Sequence, residues 1–185
     1  MDKDDQILVK ESLNGNKRAF EEIVEKYYKI IFRLAYRILR DNDDAEEITQ
    51  STFVKAYENL DSYNSKFKFF SWLYRITVNE SLNFSKRKNF LEELDDNYSN
   101  NEKDPDVIYE QTERGEKIQD ALMELDMIYR VPVVLKHFMS YSYKEISYLI
   151  DVPEKTVKSR LFEGRHLLKN ILIKKGFYND RQKIY

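Results

Sequence analysis

The chain has 185 residues with 31 Lys or Arg, 33 Asp or Glu, 4 Gly, 3 Pro and no Cys: long enough for two small domains or one of ordinary size, and charged, Gly-poor and helix-patterned enough to predict a soluble all-α protein. The lack of cysteine excludes a disulfide framework, a thiolate metal site and a cysteine nucleophile. No apolar run approaches the roughly 20 residues that span a bilayer, and the opening MDKDDQILVK is too acidic for a signal peptide, so a cytoplasmic protein is expected.

Residues 4 to 14 predict a short helix carrying Ile7, Leu8 and Leu13, ended by Asn14-Gly15-Asn16. From Lys17, apolar residues at Phe20, Ile23, Val24, Tyr27, Ile30, Ile31, Leu34, Ile38 and Leu39 recur every three or four positions and predict a long amphipathic helix. The break at Arg40-Asp41-Asn42-Asp43 leads to a third helix, for which Asp43 and Asp44 are the expected cap and dipole partner. Its inward face is Ala45, Ile48, Thr52, Phe53, Ala56 and Leu60, which leaves Glu46, Glu47, Gln50, Ser51 and Lys55 outside; such a row reads equally as a solvated face.

Asp61 to Ser65 is polar and loop-like, and the next helix is expected to begin near Phe69. The stretch Phe67 to Lys88 sets five aromatics (Phe67, Phe69, Phe70, Trp72 and Tyr74) beside Arg75 and a basic end at Lys86, Arg87 and Lys88. Aromatic faces that accept unstacked bases, next to cations that neutralise phosphates, are the ingredients of single-stranded nucleic-acid binding. A core helix with a basic end would present the same residues.

The net charge of −2 conceals a segregation. Lys66 to Lys88 holds six basic residues and one acidic (+5), Asn89 to Glu116 ten acidic and two basic (−8), and Glu154 to Tyr185 nine basic and three acidic (+6). Two basic surfaces are therefore expected on either side of an acidic connector. Between Asn89 and Asp104 the composition turns to Asn, Asp, Glu and Ser, the mark of a flexible linker that divides the chain into two domains.

Asp104-Pro105 fits a capped helix start, with Ile108, Ile118, Leu122 and Leu125 carried past Gly115. Another helix is expected from about Ile128 to Met139, kinked or delayed by Pro132. Ser142-Tyr143-Lys144-Glu145 is a capping box before Ile146, Leu149 and Ile150; Asp151-Val152-Pro153 is a tight break, and a final helix starts near Glu154 with Val157, Leu161, Leu168 and Leu172 inward. Two such helices across a three-residue turn predict a helix-turn-helix whose second helix lies in a DNA major groove. Its outward residues Lys155, Thr156, Lys158, Ser159, Arg160 and Arg165 suit base edges and phosphates, although an αα-hairpin with a basic face would look alike.

Together these motifs resemble the sigma factors of bacterial RNA polymerase, specifically the small extracytoplasmic-function group, over about Arg18 to Leu172. DDAEEITQSTFVKAYENLDSY looks like the family's core-polymerase-binding helix, FFSWLYRITVN like its promoter-melting segment, and YKEISYLIDVPEKTVKSRLFEGR like its C-terminal helix-turn-helix. The resemblance implies two helical domains, region 2 over residues 1–88 and region 4 over 117–185, joined by the acidic linker 89–116. It implies that Glu47 and Gln50, with Asp44 nearby, bind the largest polymerase subunit. It further implies that Phe69, Trp72, Tyr74, Arg75 and Asn79, with the basic Lys86 and Arg87, recognise and open the −10 element. The loop of about Asp61 to Lys68, with Tyr63, Asn64, Lys66 and Phe67, would then hold a flipped base. Thr156, Lys158, Ser159, Arg160 and Arg165, beside Lys155, would read the −35 duplex. The implied partners are core RNA polymerase, promoter DNA and an anti-sigma factor, commonly membrane-anchored. The linker would lie in the polymerase's basic RNA path.

There are departures from the family pattern. Glu163 stands where a basic residue is common, Ser51 replaces a common acid, and Asp126 takes the place of a proline while Pro132 enters later. An enzyme is not expected. His137 and His166 are 29 positions apart, and no glycine-rich phosphate loop, nucleophile elbow or zinc pattern occurs, so no cofactor, metal or small-molecule substrate is predicted. The remaining alternatives are a dimeric helix-turn-helix regulator that acts without polymerase and an adaptor whose helical stripes bind another protein.

Overall fold

A computed structural model describes residues 4–94 and 113–177, all helical where regular: α1 Asp5–Leu13, α2 Lys17–Leu39, α3 Asn42–Glu58, a single 3-10 turn Leu60–Ser62, α4 Phe69–Leu94, α5 Glu113–Met123, α6 Met127–His137, α7 Tyr143–Ile150 and α8 Glu154–Lys174. The chain divides into two compact units, 1–103 and 104–185. The expected helix start at Asp104-Pro105, with Ile108, lies outside the described residues.

In the first unit, α3 packs against α2 and α4, α2 against α4, and α1 against α2. Ile23, Ile31, Leu34 and Ile38 of α2 meet Ala45, Ile48, Phe53 and Ala56 of α3 and Leu73 and Val78 of α4 in a closed core. Full burial of each large aliphatic side chain contributes roughly 1.5–3 kcal/mol. The apolar stripes largely fall where periodicity placed them, with corrections at their edges. On α1 the buried residues are Leu8, Val9 and Ser12, whereas Ile7 and Leu13 are half exposed; a nine-residue helix has room for one narrow inward face, and Val9 takes it. Ile30 is also exposed, because Tyr27 and Ile31 already fill that turn of α2.

The cap of α3 is Asp41, whose carboxylate accepts the Asp44 N–H at 2.9 Å, rather than Asp43 or Asp44, which sit in the first turn as dipole partners. Arg40 closes α2 in the left-handed region (φ 61°), an uncommon conformation for a residue with a Cβ. Its guanidinium donates to the Tyr36 hydroxyl at 2.8 Å and lies over that ring. At its far end α4 runs to Leu94, so Asn89 to Leu94, expected in the linker, are helical; residues 95–112 of the expected linker lie outside the described residues.

In the second unit α8 is the element against which α5, α6 and α7 all pack. Leu122, Val131, Val134, Leu135, Ile146, Leu149, Val157 and Leu161 are essentially inaccessible. Gly164 lets α6 and α8 approach: a Cβ there would fall 3.0 Å from Val133 Cγ2 and 3.3 Å from Tyr129 Cβ. Pro132 neither delays α6, which starts at Met127 under an Asp126 cap, nor ends it; its ring is buried, and the loss is one backbone donor. Arg130 ties the end of α5 to α6, donating from Nε to the Leu122 carbonyl (3.0 Å) and from Nη2 to those of Met123 (2.7 Å) and Leu125 (2.8 Å). Leu122 and Met123 belong to the last turn of α5, where carbonyls lose their helical donors, and burial pulls the guanidinium pKa below its usual value.

Candidate functional site

The loop before α4 is organised by its own side chains. Asn64 Oδ1 accepts the Lys66 N–H at 3.0 Å, the Asn64 carbonyl accepts the Phe67 N–H at 3.0 Å, and the Tyr63 hydroxyl donates to the Phe67 carbonyl at 2.6 Å. The Tyr63 ring meets Phe69 edge-on at 5.1 Å and Trp72 at 5.6 Å, and Phe69 in turn touches Tyr27 of α2 at 6.0 Å. An aromatic cluster thus fixes a loop whose Asn64, Lys66 and Phe67 remain exposed, Phe67 by 46%.

Two expected DNA contacts are corrected by burial. Phe69 is 1% exposed and Tyr74 6%, so neither ring has a free face for a base; they serve as the support for Trp72, Tyr63 and Phe70. Burial also pushes the Tyr74 phenol pKa up. The residues that leave the core are Trp72 and Arg75, half-buried, and Asn79, Lys86 and Arg87, exposed. Trp72, Arg75, Asn79 and Lys86 are separated by three, four and seven positions, which is one stripe of α4. Phe70 stays half-buried under the Lys68 ammonium at 5.5 Å, and Arg87 and Lys88 lie over Phe84.

On α3, Glu47 and Gln50 are exposed one turn apart. The Gln50 amide donates to Glu46 Oε1 at 3.0 Å, and Glu46 Oε2 accepts the Tyr28 hydroxyl. Burial and that carboxylate push the Tyr28 phenol up to about 12. Asp44 does not stand with them: its carboxylate is paired with Lys88 of α4 at 2.7 Å and is 17% exposed. Ser51 and Lys55, expected on the solvated face, instead reach Glu80 of α4, at 2.9 Å and 2.6 Å. Sequence reading missed Glu80, since a lone acid in a basic stretch gives no signal. It also missed Val54 and Tyr57, exposed four and seven positions beyond Gln50, which the same helical spacing could have found.

The helix-turn-helix geometry is complete. Ser142 N–H and Oγ donate to Glu145 Oε2 at 2.8 and 2.6 Å, and the Glu145 N–H returns to Ser142 Oγ at 3.2 Å. The turn holds Asp151 left-handed (φ 51°), with Ser147 Oγ donating to the Val152 carbonyl at 2.5 Å. On α8, Lys155, Lys158, Ser159 and Arg165 are exposed and Thr156 and Arg160 half-buried. Arg165 Nε donates back to the Leu161 carbonyl at 3.1 Å. The outward stripe also includes Phe162, 69% exposed, which sequence reading passed over as one more apolar helix residue. Lys158 and Lys136 both lie over the Tyr143 ring, at 5.9 and 5.2 Å. His137, facing this cationic end, has its pKa lowered by burial and by Arg165 and Lys136. Among the described residues no cluster of His, Cys, Asp or Glu could hold a metal ion, and no helix is long and apolar enough to cross a membrane.

Comparison with known proteins places both units in one family. The family description "Sigma-70 region 2" matches residues 23–90, and "Sigma-70, region 4" matches 115–168. The extracytoplasmic-function RNA polymerase sigma factor SigW of Bacillus subtilis is 33% identical over 89% of this chain and 94% of its own length. In fold, the chain is similar to the sigma factor RpoE of Bartonella quintana, solved in complex with the anti-sigma factor NepR (TM-score 0.70, 21% identity, 83% of this chain and 96% of that one). It is also similar to CnrH, solved with the cytosolic domain of CnrY (TM-score 0.67, 24% identity, 92% and 97%). The chain belongs to the extracytoplasmic-function group of the sigma-70 family, the sigma factors that direct bacterial RNA polymerase to promoters.

Proposed function

We propose that the two surfaces divide promoter recognition between them. The α4 stripe of Trp72, Arg75, Asn79 and Lys86, with Arg87 and the exposed loop residues Asn64, Lys66 and Phe67, binds the separated −10 strand; Glu47 and Gln50 of α3 bind core polymerase. The α8 residues Lys155, Thr156, Lys158, Ser159, Arg160 and Arg165, joined by Phe162, read the −35 duplex. The observation that carries this reading is the α4 stripe, because a half-buried indole followed by cationic and amide side chains at helical spacing, backed by a rigid aromatic cluster, suits an unstacked base followed by its phosphates. Phe162 adds an apolar contact of the kind a thymine methyl accepts.

The acidic stretch between α4 and α5 occupies the cation-lined RNA path of the polymerase in this reading, on the strength of its charge alone. The protein acts in the cytoplasm, with core enzyme and DNA, as a specificity subunit without catalysis of its own. Its inhibitor is an anti-sigma factor, as in the complex of RpoE with NepR. Run-off transcription with purified core polymerase tests the reading: a promoter-dependent transcript that requires the added chain is expected. Equal transcription without it would overturn the proposal.

A further inference from the structure

The α3–α4 interface is polar where an apolar one would suffice. At one end Asp44 pairs with Lys88 at 2.7 Å. In the middle the Thr52 and Thr77 hydroxyls lie 3.4 Å apart, a polar contact rather than a bond, since each spends its one proton on a carbonyl of its own helix, Ile48 at 2.7 Å and Leu73 at 2.9 Å. Beside them Glu80 of α4, with its side chain only 11% exposed, accepts from Ser51 at 2.9 Å and from Lys55 at 2.6 Å. Polar groups buried in this way lose solvation that well-packed Leu or Val would not lose. What they add is register: a shift of one helix along the other breaks directional bonds, whereas apolar ridges find new grooves.

The position of Glu80 makes that register useful. Ser51 is the neighbour of Gln50 on α3, and Asn79 is the neighbour of Glu80 on α4. A covalent and hydrogen-bonded route from the polymerase-facing residue to the strand-facing one therefore runs Gln50, Ser51, Glu80, Asn79. We infer that Glu80 is a positioning residue, holding the polymerase-facing helix α3 and the strand-separating helix α4 in one axial register through Ser51 and Lys55 so that core binding places α4 for promoter opening. This rests on the assignment of the two helices given under the proposed function.

Full-length chains carrying Glu80→Ala, Glu80→Gln and Trp72→Ala, each assembled with saturating core polymerase, would be compared for core affinity, thermal unfolding and the rate of duplex promoter opening followed by a fluorescent base in the −10 element. Glu80→Ala should slow opening by about tenfold, the size of a coupling between neighbouring side chains, while core affinity changes by less than about threefold. Glu80→Gln, which keeps an acceptor for Ser51 and the shape of the side chain, should recover most of the rate. A Glu80→Ala chain that melts earlier yet opens promoters at the normal rate would reduce Glu80 to a packing residue and overturn the inference. Normal opening by Trp72→Ala would instead remove the assignment of α4 on which it rests.

Discussion

The two surfaces proposed for the −10 and −35 elements are built from different materials. On α4 the aromatics divide between core and surface, so Phe69 holds up the Tyr63 and Trp72 rings and Tyr74 the Phe70 ring. On α8 the division is by face: Val157, Leu161 and Leu172 are buried while Lys155, Lys158 and Ser159 point out. The buried rings that support the α4 surface cannot be removed without altering the fold, whereas a cationic stripe on a packed helix can be stripped with the fold intact. Substitutions on the two helices should therefore separate stability from binding in opposite ways.

The largest effect is expected at Phe69. Its Ala variant loses a fully buried ring and should lose about 3–5 kcal/mol of stability, with promoter opening falling alongside; denaturant unfolding measures it. A Phe69→Ala chain that unfolds normally but fails to open promoters would put the ring back at the DNA. Next is Gly164→Ala, which must displace Val133 or Tyr129 and should cost about 1–3 kcal/mol by overpacking, measured by the melting temperature of the second unit. Arg160→Ala is its counterpart on the same helix: binding to a −35 duplex by holoenzyme should weaken by about 1–3 kcal/mol if the guanidinium makes a paired base contact, with the melting temperature unchanged. Ser142→Ala removes one half of the capping box and should cost about 1 kcal/mol of stability without changing base preference.

The smallest effect concerns pH. His137 has a folded pKa below its ordinary 6.5, so the unfolded chain takes up the proton first and the second unit should lose stability as pH falls below about 6.5. His137→Gln should flatten that dependence; an identical pH profile in the variant would show that another group is responsible.

What the sequence made legible follows the same division. Period and capping grammar placed α2, α3, α7 and α8 closely, because a long stripe such as Phe20 to Ile38 has one inward solution and Ser142–Glu145 is a local bond pattern. The nine-residue α1 was misread, since Ile7 and Leu13 fit its stripe as well as Val9 until α2 chose between them. The end of α4 was hidden by acids that look like linker although Phe84 and Lys88 still bind the helix to its unit. Lys155 and Glu47, expected to face away from the core, are exposed. Residues joined across the fold were not legible: Asp44 was expected at the polymerase and is paired with Lys88, and Glu80, Ser51 and Lys55 meet only in three dimensions, from positions 25 and 29 residues apart.

The most direct test of the division between the surfaces is permanganate reactivity of −10 thymines on a duplex promoter with purified core polymerase. Thymines should become reactive when this chain is added, and with Trp72→Ala they should stay protected although the −35 region is still occupied; with Arg160→Ala occupancy itself should fall, and both reactivity and −35 protection with it. Reactive thymines in the Trp72→Ala complex at the level of the unaltered chain, or none in any complex, would contradict the account.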